Sequence, residues 1–189
     1  AAAVALSRKG IPSLVLEQTA EFGEIGAGIQ LGPNVFRMFE RLGITEVVRK
    51  TAVYVKHLIM MDSLSGDEVT RVPLDDAFRE RFKNPYAVIH RSDLHGAILA
   101  ACRESSLIRL ETSRNITGFK ETGDGVSVKA EDGTTYAGSA LIGADGLWSK
   151  VRGQMFNEGP PNTSGHIAYR AVLPIDEVPE EMRWDAATL

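Results

Sequence analysis

The residues best suited to ligand chemistry lie between Ala140 and Arg152. The apolar run Ala140–Ile142 predicts a buried strand, and Asp145, between two glycines, follows it directly before a predicted helix. Ligands of open α/β sheets bind at the carboxyl ends of strands, and helix starts attract anions. We expect Asp145 to accept hydrogen bonds from sugar hydroxyls and Gly146 to let a ligand approach the backbone. Spacing alone leaves open an ordinary strand–turn–helix with a solvated Asp145.

A second carboxylate ends a predicted strand near the start of the chain. The helical stretch Ala1–Lys9 is closed by Gly10, and the apolar run Leu14–Leu16 then ends in Glu17. This order is typical of the second half of a dinucleotide-binding βαβ unit, whose terminal acid bonds the adenosine ribose. The glycine-rich turn of that unit is expected about 20 residues before the acid, upstream of Ala1. We therefore expect the chain to be part of a longer protein.

Two further stretches predict ligand contacts. The glycine-dense segment 22–33 is too apolar for a solvated linker, and we expect Gly26, Ala27 and Gly28 to lie against a flat or extended ligand. Arg91 follows a predicted strand at 87–90 and precedes a helix for which Ser92 is the predicted N-cap. At such a junction a guanidinium can clamp a phosphate or a ribityl oxygen.

The remaining elements indicate the fold class. Helix 34–42, capped by Asn34 and ended by Gly43, precedes a hairpin formed by strands 53–62 and 68–72, and Asp-Gly turns join an antiparallel meander over 116–137. We predict a Rossmann-like α/β domain with a parallel sheet and an inserted antiparallel β-meander over residues 1–156, with segment 53–83 contributing to the substrate side. Residues 157–189 are predicted to be a linker and the start of a β-rich substrate domain.

Composition excludes several functional classes. The net charge of -4 provides no basic footprint for nucleic acid, and no apolar run approaches the roughly 20 residues that span a bilayer. The single cysteine, Cys102, lies on the apolar face of a predicted helix, which indicates a buried thiol and a reducing, cytoplasmic location. Neither a membrane partner nor a metal is expected, because no cluster of ligand residues has metal spacing.

These motifs together resemble the class A flavoprotein aromatic hydroxylases, which include salicylate and hydroxybenzoate monooxygenases. Gly143–Arg152 matches the family's internal Gly-Asp motif, Leu14–Glu17 its ribose-binding strand end, Gly26–Pro33 its loop near the flavin, and His90–His95 its FAD-contacting arginine motif. Within the family, the stretches around Phe22, Tyr86 and Tyr169 look most like those of 3-hydroxybenzoate 6-hydroxylases.

The resemblance implies a flavin-dependent monooxygenase that uses FAD, NADH or NADPH, and dioxygen to convert 3-hydroxybenzoate to gentisate. By position, Glu17 would hold ribose, Arg91 would anchor FAD, and Asp145 would contact FAD and assist its reduction. Tyr86 falls where the family places a tyrosine close to the substrate, and Tyr169 or Arg170 would border the substrate sheet. The resemblance implies the activity for the longer protein only, and a homodimer is one assembly that it allows.

Three alternatives stay open on sequence alone. Tyr86 could be a half-buried tyrosine at a strand end without a substrate role. The protein could act on another ring, such as salicylate or a nicotinate, with the same fold. It could also be a nucleotide-binding module without redox function, which would bind adenine nucleotide and show no flavin colour.

Overall fold

The computed structural model describes residues 1–23, 26–167 and 171–188. Its α-helices are α1 Ala2–Ser7, α2 Pro33–Leu42, α3 Thr45–Thr51, α4 Asp76–Phe82, α5 Arg91–Arg103 and α6 Lys150–Phe156. Its strands are β1 Ser13–Leu16, β2 Gly28–Leu31, β3 His57–Met61, β4 Glu68–Pro73, β5 Ala87–His90, β6 Ile108–Glu111, β7 Ile116–Thr122, β8 Gly125–Ala130, β9 Thr135–Gly138 and β10 Ala186–Thr188. Short 3-10 helices cover Ile175–Glu177 and Glu180–Met182.

The chain forms two compact units, each built from separate stretches of sequence. The first unit comprises Ala1–Ser13, Gly23–Ile108 and Arg170–Leu189, and the second comprises Leu14–Phe22 and Arg109–Tyr169. Mixed parallel and antiparallel sheets with helices confirm the predicted α/β class. The predicted domain boundary after residue 156 stays a prediction.

The core of the first unit lies under one face of the antiparallel pair β2–β5. Side chains alternate along a strand, so one face of the pair is buried and the other is open. Against the buried face pack α2, α3 and α5, and the core they form contains Leu31, Phe36, Phe39, Ile44, Val48, Ala87, Ile89 and Ala97. The opposite face carries Gly28, Gln30, Val88 and His90, in the register Gly28 opposite His90 and Gln30 opposite Val88. This second face is therefore available for ligands.

The first unit also contains the predicted hairpin. Strands β3 and β4 pair antiparallel with a register shift between Met60 and Met61, and β10 adds to β3 in parallel. Strand β3 begins at His57 rather than Val53, which instead forms an isolated bridge with Val88. The exposed stretch 75–83, which the sequence left ambiguous, contains α4, capped by the side chain of Asp75.

Three predictions of local structure in this unit are wrong. Helix α2 has Gly32 rather than Asn34 at its N-cap, because Pro33, with its fixed φ and no N–H, takes the first helical position. Helix α5 is capped by His90 rather than Ser92. The glycine-dense segment is not all loop, since residues 28–31 form β2 against β5. The predicted end of α2 at Gly43 is confirmed by its left-handed φ of 68°.

The second unit contains most of the strand pair β1–β6 (residues 14–16 and 109–111) and the meander. The Ser13 N–H donates to the Leu107 carbonyl and the Glu17 N–H donates to the Glu111 carbonyl; both partners move forward along the chain, so β1 and β6 are parallel. The meander β7–β8–β9 is antiparallel, as predicted, with β8 contributing the buried Val126, Val128 and Ala130.

The predicted strand at Ala140–Ile142 is absent from the described second unit, where residues 140–146 are neither strand nor helix. A strand forms only where a neighbour takes up its backbone N–H and C=O groups. No described strand does so here, and Ile142 is 59% exposed. The helix predicted directly after Asp145 is α6, which begins only at Lys150. Its Gln154 side chain bonds both the N–H and the C=O of Phe119 on β7.

Candidate functional site

In the first unit, two of the predicted ligand residues, Gly26 and Ala27, lie against Arg91. The backbone N–H of Arg91 donates to the carbonyl of Ala27 at 3.2 Å. A Cβ on Gly26 would lie 2.7 Å from Arg91 Cδ and 2.8 Å from its Cβ, so only glycine fits there without movement. Gly28 follows at the start of β2, opposite His90. The structure thus brings Gly26 and Ala27 against Arg91, with Gly28 next to them in the sequence, and their role in ligand binding stays a prediction.

The charge at this point is set by the start of α5. Arg91 is the first residue of this 13-residue helix, whose N-terminal end carries partial positive charge. Nδ1 of His90 accepts a hydrogen bond from the backbone N–H of Ser92 at 3.4 Å and lies 2.6 Å from the Ser92 hydroxyl. The positively charged Arg91, an exposed residue, and the helix start together concentrate positive charge at this point.

Tyr86 lies at the edge of the open face of the β2–β5 pair. It directly precedes β5 and is half-buried, and its hydroxyl donates to Gln30 Oε1 at 2.5 Å. Burial raises the pKa of the Tyr86 hydroxyl above its ordinary value. Gln30 was not singled out from the sequence. The sequence does contain a signal for Gln30: it is a polar residue between the apolar Ile29 and Leu31. In a strand this alternation places Gln30 on the face opposite the core.

In the second unit, Asp145 bonds the start of α6. Its carboxylate accepts hydrogen bonds from the Ser149 hydroxyl at 2.5 Å, from the Lys150 N–H at 2.7 Å and from the Val151 N–H at 3.1 Å. A carboxylate offers about four acceptor positions, so little of its capacity is left for a ligand hydroxyl. The expectation that free N–H groups of this helix attract an external anion is wrong for Lys150 and Val151, because Asp145 already occupies them.

These hydrogen bonds control the charge of Asp145. Partial burial acts to raise the pKa of its carboxyl, but the hydrogen bonds from Ser149, Val151 and Lys150 outweigh burial and hold the pKa below its usual range. The neighbouring Gly146 has a left-handed φ of 73°, and no atom lies within 4 Å of the place its Cβ would take. The Gly146 backbone is therefore open to close approach.

Glu17 directly follows β1 in the second unit. Its Oε1 accepts from the Thr19 N–H at 2.9 Å and from the Thr19 hydroxyl at 3.0 Å. Its own backbone is held by Glu111 and Arg114. The position at the carboxyl end of a parallel strand is the one predicted, and the Thr19 contacts fix the direction of the carboxylate.

The basic side chains near Asp145, Arg152 and Lys150, form an ion pair and hydrogen bonds within the second unit. Arg152 Nε lies 3.1 Å from the Glu158 carboxylate, and its NH2 donates to the Leu147 carbonyl at 2.9 Å. Lys150 Nζ donates to Asn115 at 3.3 Å. The predicted substrate-side residues Tyr169 and Arg170 lie outside the described residues.

The described residues contain features that fit FAD. The close contact between Gly26 and Arg91 leaves backbone beside a cation, which suits a phosphate. The open backbone at Gly146 and the strand-end carboxylate of Glu17 suit a ribityl chain and a ribose. Over residues 1–23, 26–167 and 171–188, no group of three His, Cys, Asp or Glu side chains could hold a metal, and no helix is long and apolar enough to cross a membrane.

Comparison with protein families gives one match that covers most of the chain. The model of the FAD binding domain matches residues 1–172. Among curated proteins, the chain is 46% identical over 187 residues to 3-hydroxybenzoate 6-hydroxylase 1 of Aquipseudomonas alcaligenes, covering 99% of the chain and 48% of that protein. It is 45% identical to 3-hydroxybenzoate 6-hydroxylase of Polaromonas naphthalenivorans, covering 100% of the chain and 47% of that protein. The chain thus spans about half the length of the curated relatives it matches.

Solved structures agree with these relatives. Klebsiella pneumoniae HpxO complexed with FAD and uric acid superposes with a TM-score of 0.69 at 29% identity, covering 81% of this chain and 38% of that one. A 2-methyl-3-hydroxypyridine-5-carboxylic acid oxygenase superposes with a TM-score of 0.70 at 23% identity, covering 82% of this chain and 38% of that one. The second likeness supports the fold alone.

Proposed function

Because the chain belongs to the FAD-binding domain family, we propose that it forms the FAD-binding part of a flavin-dependent monooxygenase that hydroxylates a phenolic aromatic acid. The substrate we propose is 3-hydroxybenzoate, with gentisate as the product. The observation that carries this proposal is the identity of 40 to 46% to 3-hydroxybenzoate 6-hydroxylases from three organisms, over 99 to 100% of the chain.

The proposed cofactor contacts in the first unit are Gly26, Ala27, Gly28 and Arg91. The guanidinium and the start of α5 supply positive charge for the diphosphate or a ribityl oxygen, and the glycines keep the backbone close to the ligand.

In the second unit the proposed contacts are Glu17, Asp145 and Gly146. Glu17 would accept from the ribose, in the direction fixed by Thr19. The contact at the Asp145 turn would be made chiefly by the Gly146 backbone, since the Asp145 carboxylate already bonds α6. Asp145 would thus act on FAD by fixing the shape of the turn and by its negative charge.

FAD supplies the redox chemistry in such enzymes, taking electrons from NADH or NADPH and activating dioxygen. The chain's own residues would bind FAD and orient it and the substrate. Tyr86, whose hydroxyl donates to Gln30, is the proposed substrate contact within the described residues. Tyr169 stays a proposed contact from its position in the sequence.

A second candidate substrate class is a hydroxylated pyridine. The chain is 32% identical over 174 residues to 6-hydroxynicotinate 3-monooxygenase of Bordetella bronchiseptica, covering 92% of the chain and 45% of that protein. The lower identity makes this the alternative to 3-hydroxybenzoate.

The test uses the full-length protein that contains this chain, purified and reconstituted with FAD. Consumption of NADH and of NADPH is followed with 3-hydroxybenzoate, salicylate, 4-hydroxybenzoate and 6-hydroxynicotinate in turn. We expect bound flavin and the largest stimulation with 3-hydroxybenzoate. Stimulation by 6-hydroxynicotinate alone would favour the alternative, and a protein without flavin that binds adenine nucleotide would reject the monooxygenase.

A further inference from the structure

The open face of the β2–β5 pair carries a polar pair that no cofactor contact explains. Gln30 lies opposite Val88, and Tyr86 precedes Ala87, which lies opposite Leu31. Because side chains alternate, Tyr86 and Gln30 project from the same face, as diagonal neighbours. The hydrogen bond from Tyr86 to Gln30 Oε1 joins residues 56 positions apart in the sequence.

The direction of this hydrogen bond determines what each group can still do. The Tyr86 hydroxyl has one proton, which it donates to Gln30. Toward any third group, the Tyr86 oxygen is then an acceptor. The amide nitrogen of Gln30 carries two N–H donors, and the bond through Oε1 turns that nitrogen away from the tyrosine oxygen. The pair therefore combines one fixed acceptor with amide donors on a single face.

The fixed acceptor matches the chemistry of a phenolic hydroxyl. A phenol O–H donates one hydrogen bond and needs an acceptor for it. We propose that Gln30 is the positioning residue for Tyr86: by accepting the hydrogen bond of the Tyr86 hydroxyl, it presents the Tyr86 oxygen as an acceptor for the substrate's phenolic hydroxyl. This inference rests on the proposed function, since it assigns Tyr86 to the aromatic substrate.

The surroundings of the pair favour a positioning role over a purely structural one. Gln30 is exposed, so its side chain contributes little to the core that lies on the opposite face. The flanking Ile29 and Leu31 belong to that core, and they fix the strand position from which Gln30 projects. Replacing Gln30 should therefore leave the fold intact and free the Tyr86 hydroxyl to rotate.

The experiment is a double-mutant cycle in the full-length FAD-loaded protein. Gln30→Met removes the acceptor at nearly constant size, and Tyr86→Phe removes the hydroxyl. Dissociation constants for 3-hydroxybenzoate are measured by the change in flavin fluorescence, and KM and kcat by oxygen consumption. We expect each single variant to weaken substrate binding about fivefold to tenfold, the size of one neutral hydrogen bond. In the Tyr86→Phe background, Gln30→Met should change binding less than twofold.

Two variants and one spectroscopic measurement separate the outcomes. Gln30→Glu keeps an acceptor at the same length and should retain the orientation of Tyr86, whereas Gln30→Met should not. Ultraviolet titration of tyrosine, which needs no activity, should show a lower pKa for Tyr86 in Gln30→Met, because the protonated hydroxyl loses its acceptor. Tyr86→Phe identifies which transition belongs to Tyr86.

An unchanged tyrosine titration in Gln30→Met would overturn the pairing itself. Equal effects of Gln30→Met in both backgrounds would overturn its action through Tyr86. If the unmutated protein hydroxylates none of the aromatic acids, the proposed function fails and the substrate role of the pair fails with it. The titration still decides whether Gln30 holds Tyr86.

Discussion

At the scale of single residues, the contact between Gly26 and Arg91 is the most sensitive point of the proposed FAD site. A methyl group at residue 26 would lie 2.8 Å from Arg91 Cβ, an atom fixed to the α5 backbone. Gly26→Ala must therefore displace the start of α5 or the segment that precedes β2. We expect FAD affinity, measured by flavin fluorescence titration, to fall about tenfold or more.

The matched control for this substitution is Gly96→Ala. Gly96 lies on α5 as well, yet no atom lies within 4 Å of the position of its Cβ, and alanine favours helix more than glycine does. This variant should bind FAD as the unmodified protein does. Equal affinity in Gly26→Ala and Gly96→Ala would show that the close approach at Gly26 does not matter to the cofactor.

Candidate site residues are easier to recognise in the sequence than the groups they contact. A glycine-dense segment and a strand–helix junction are local patterns, so Gly26, Ala27 and Arg91 could be singled out, and the structure places Gly26 and Ala27 against Arg91. Gln30 was missed because its face depends on which strands pair, and the His90 cap was missed because serine is the commoner N-cap residue. For Asp145, spacing could not show that its carboxylate bonds its own helix rather than an external sugar.

At the scale of elements, the Asp145 carboxylate stabilises the start of α6. The substitution Asp145→Ala should therefore make this helix open locally more often. Ser149 is the N-cap residue of α6, and the Asp145 carboxylate bonds the N–H groups of Lys150 and Val151 that follow it. Losing such side-chain bonds at a helix start costs about 1 kcal/mol, which corresponds to about fivefold faster opening. Hydrogen–deuterium exchange of the amides in Lys150–Phe156 measures that opening. Asp145→Asn is the matched control, because an asparagine oxygen still caps.

The same contact has a defined dependence on pH. The pKa of Asp145 is lowered in the folded protein, so its contribution is fully present above the ordinary value of 3.8. It is lost as the pH falls through the lower folded-state pKa. Exchange in α6 should therefore accelerate in this acidic range, after correction for intrinsic rates, in the unmodified protein but not in Asp145→Asn. The same acceleration in Asp145→Asn would assign the pH effect to another group.

Elements were predictable where the pattern was local. The meander follows from alternating residues and Asp-Gly turns, and the end of α2 follows from Gly43. The apolar run Ala140–Ile142 did not become a strand, because strand formation depends on a neighbour that the run itself does not specify. Strand β2 was not predicted, because its glycine-rich surroundings are typical of a loop. Its pairing with β5, which makes it a strand, is not a local feature of the sequence.

At the scale of the whole molecule, the family and the proposed chemistry follow from several separate motifs. The match to the FAD binding domain spans residues 1–172, and the identity to 3-hydroxybenzoate 6-hydroxylases extends over the chain. The proposed substrate is an anionic acid, and this chain carries a net charge of -4, so attraction to it within the chain must come from local groups rather than from the overall field.

The most direct test of the central claim is the identity of the product. The full-length protein, loaded with FAD, is supplied with NADH, 3-hydroxybenzoate and isotopically labelled dioxygen, and the aromatic product is identified by chromatography and mass spectrometry. We predict gentisate that carries one labelled oxygen, formed in equal amount to the NADH consumed. Formation of a different dihydroxybenzoate would contradict the position of hydroxylation. Consumption of NADH with only hydrogen peroxide as product would contradict 3-hydroxybenzoate as the substrate.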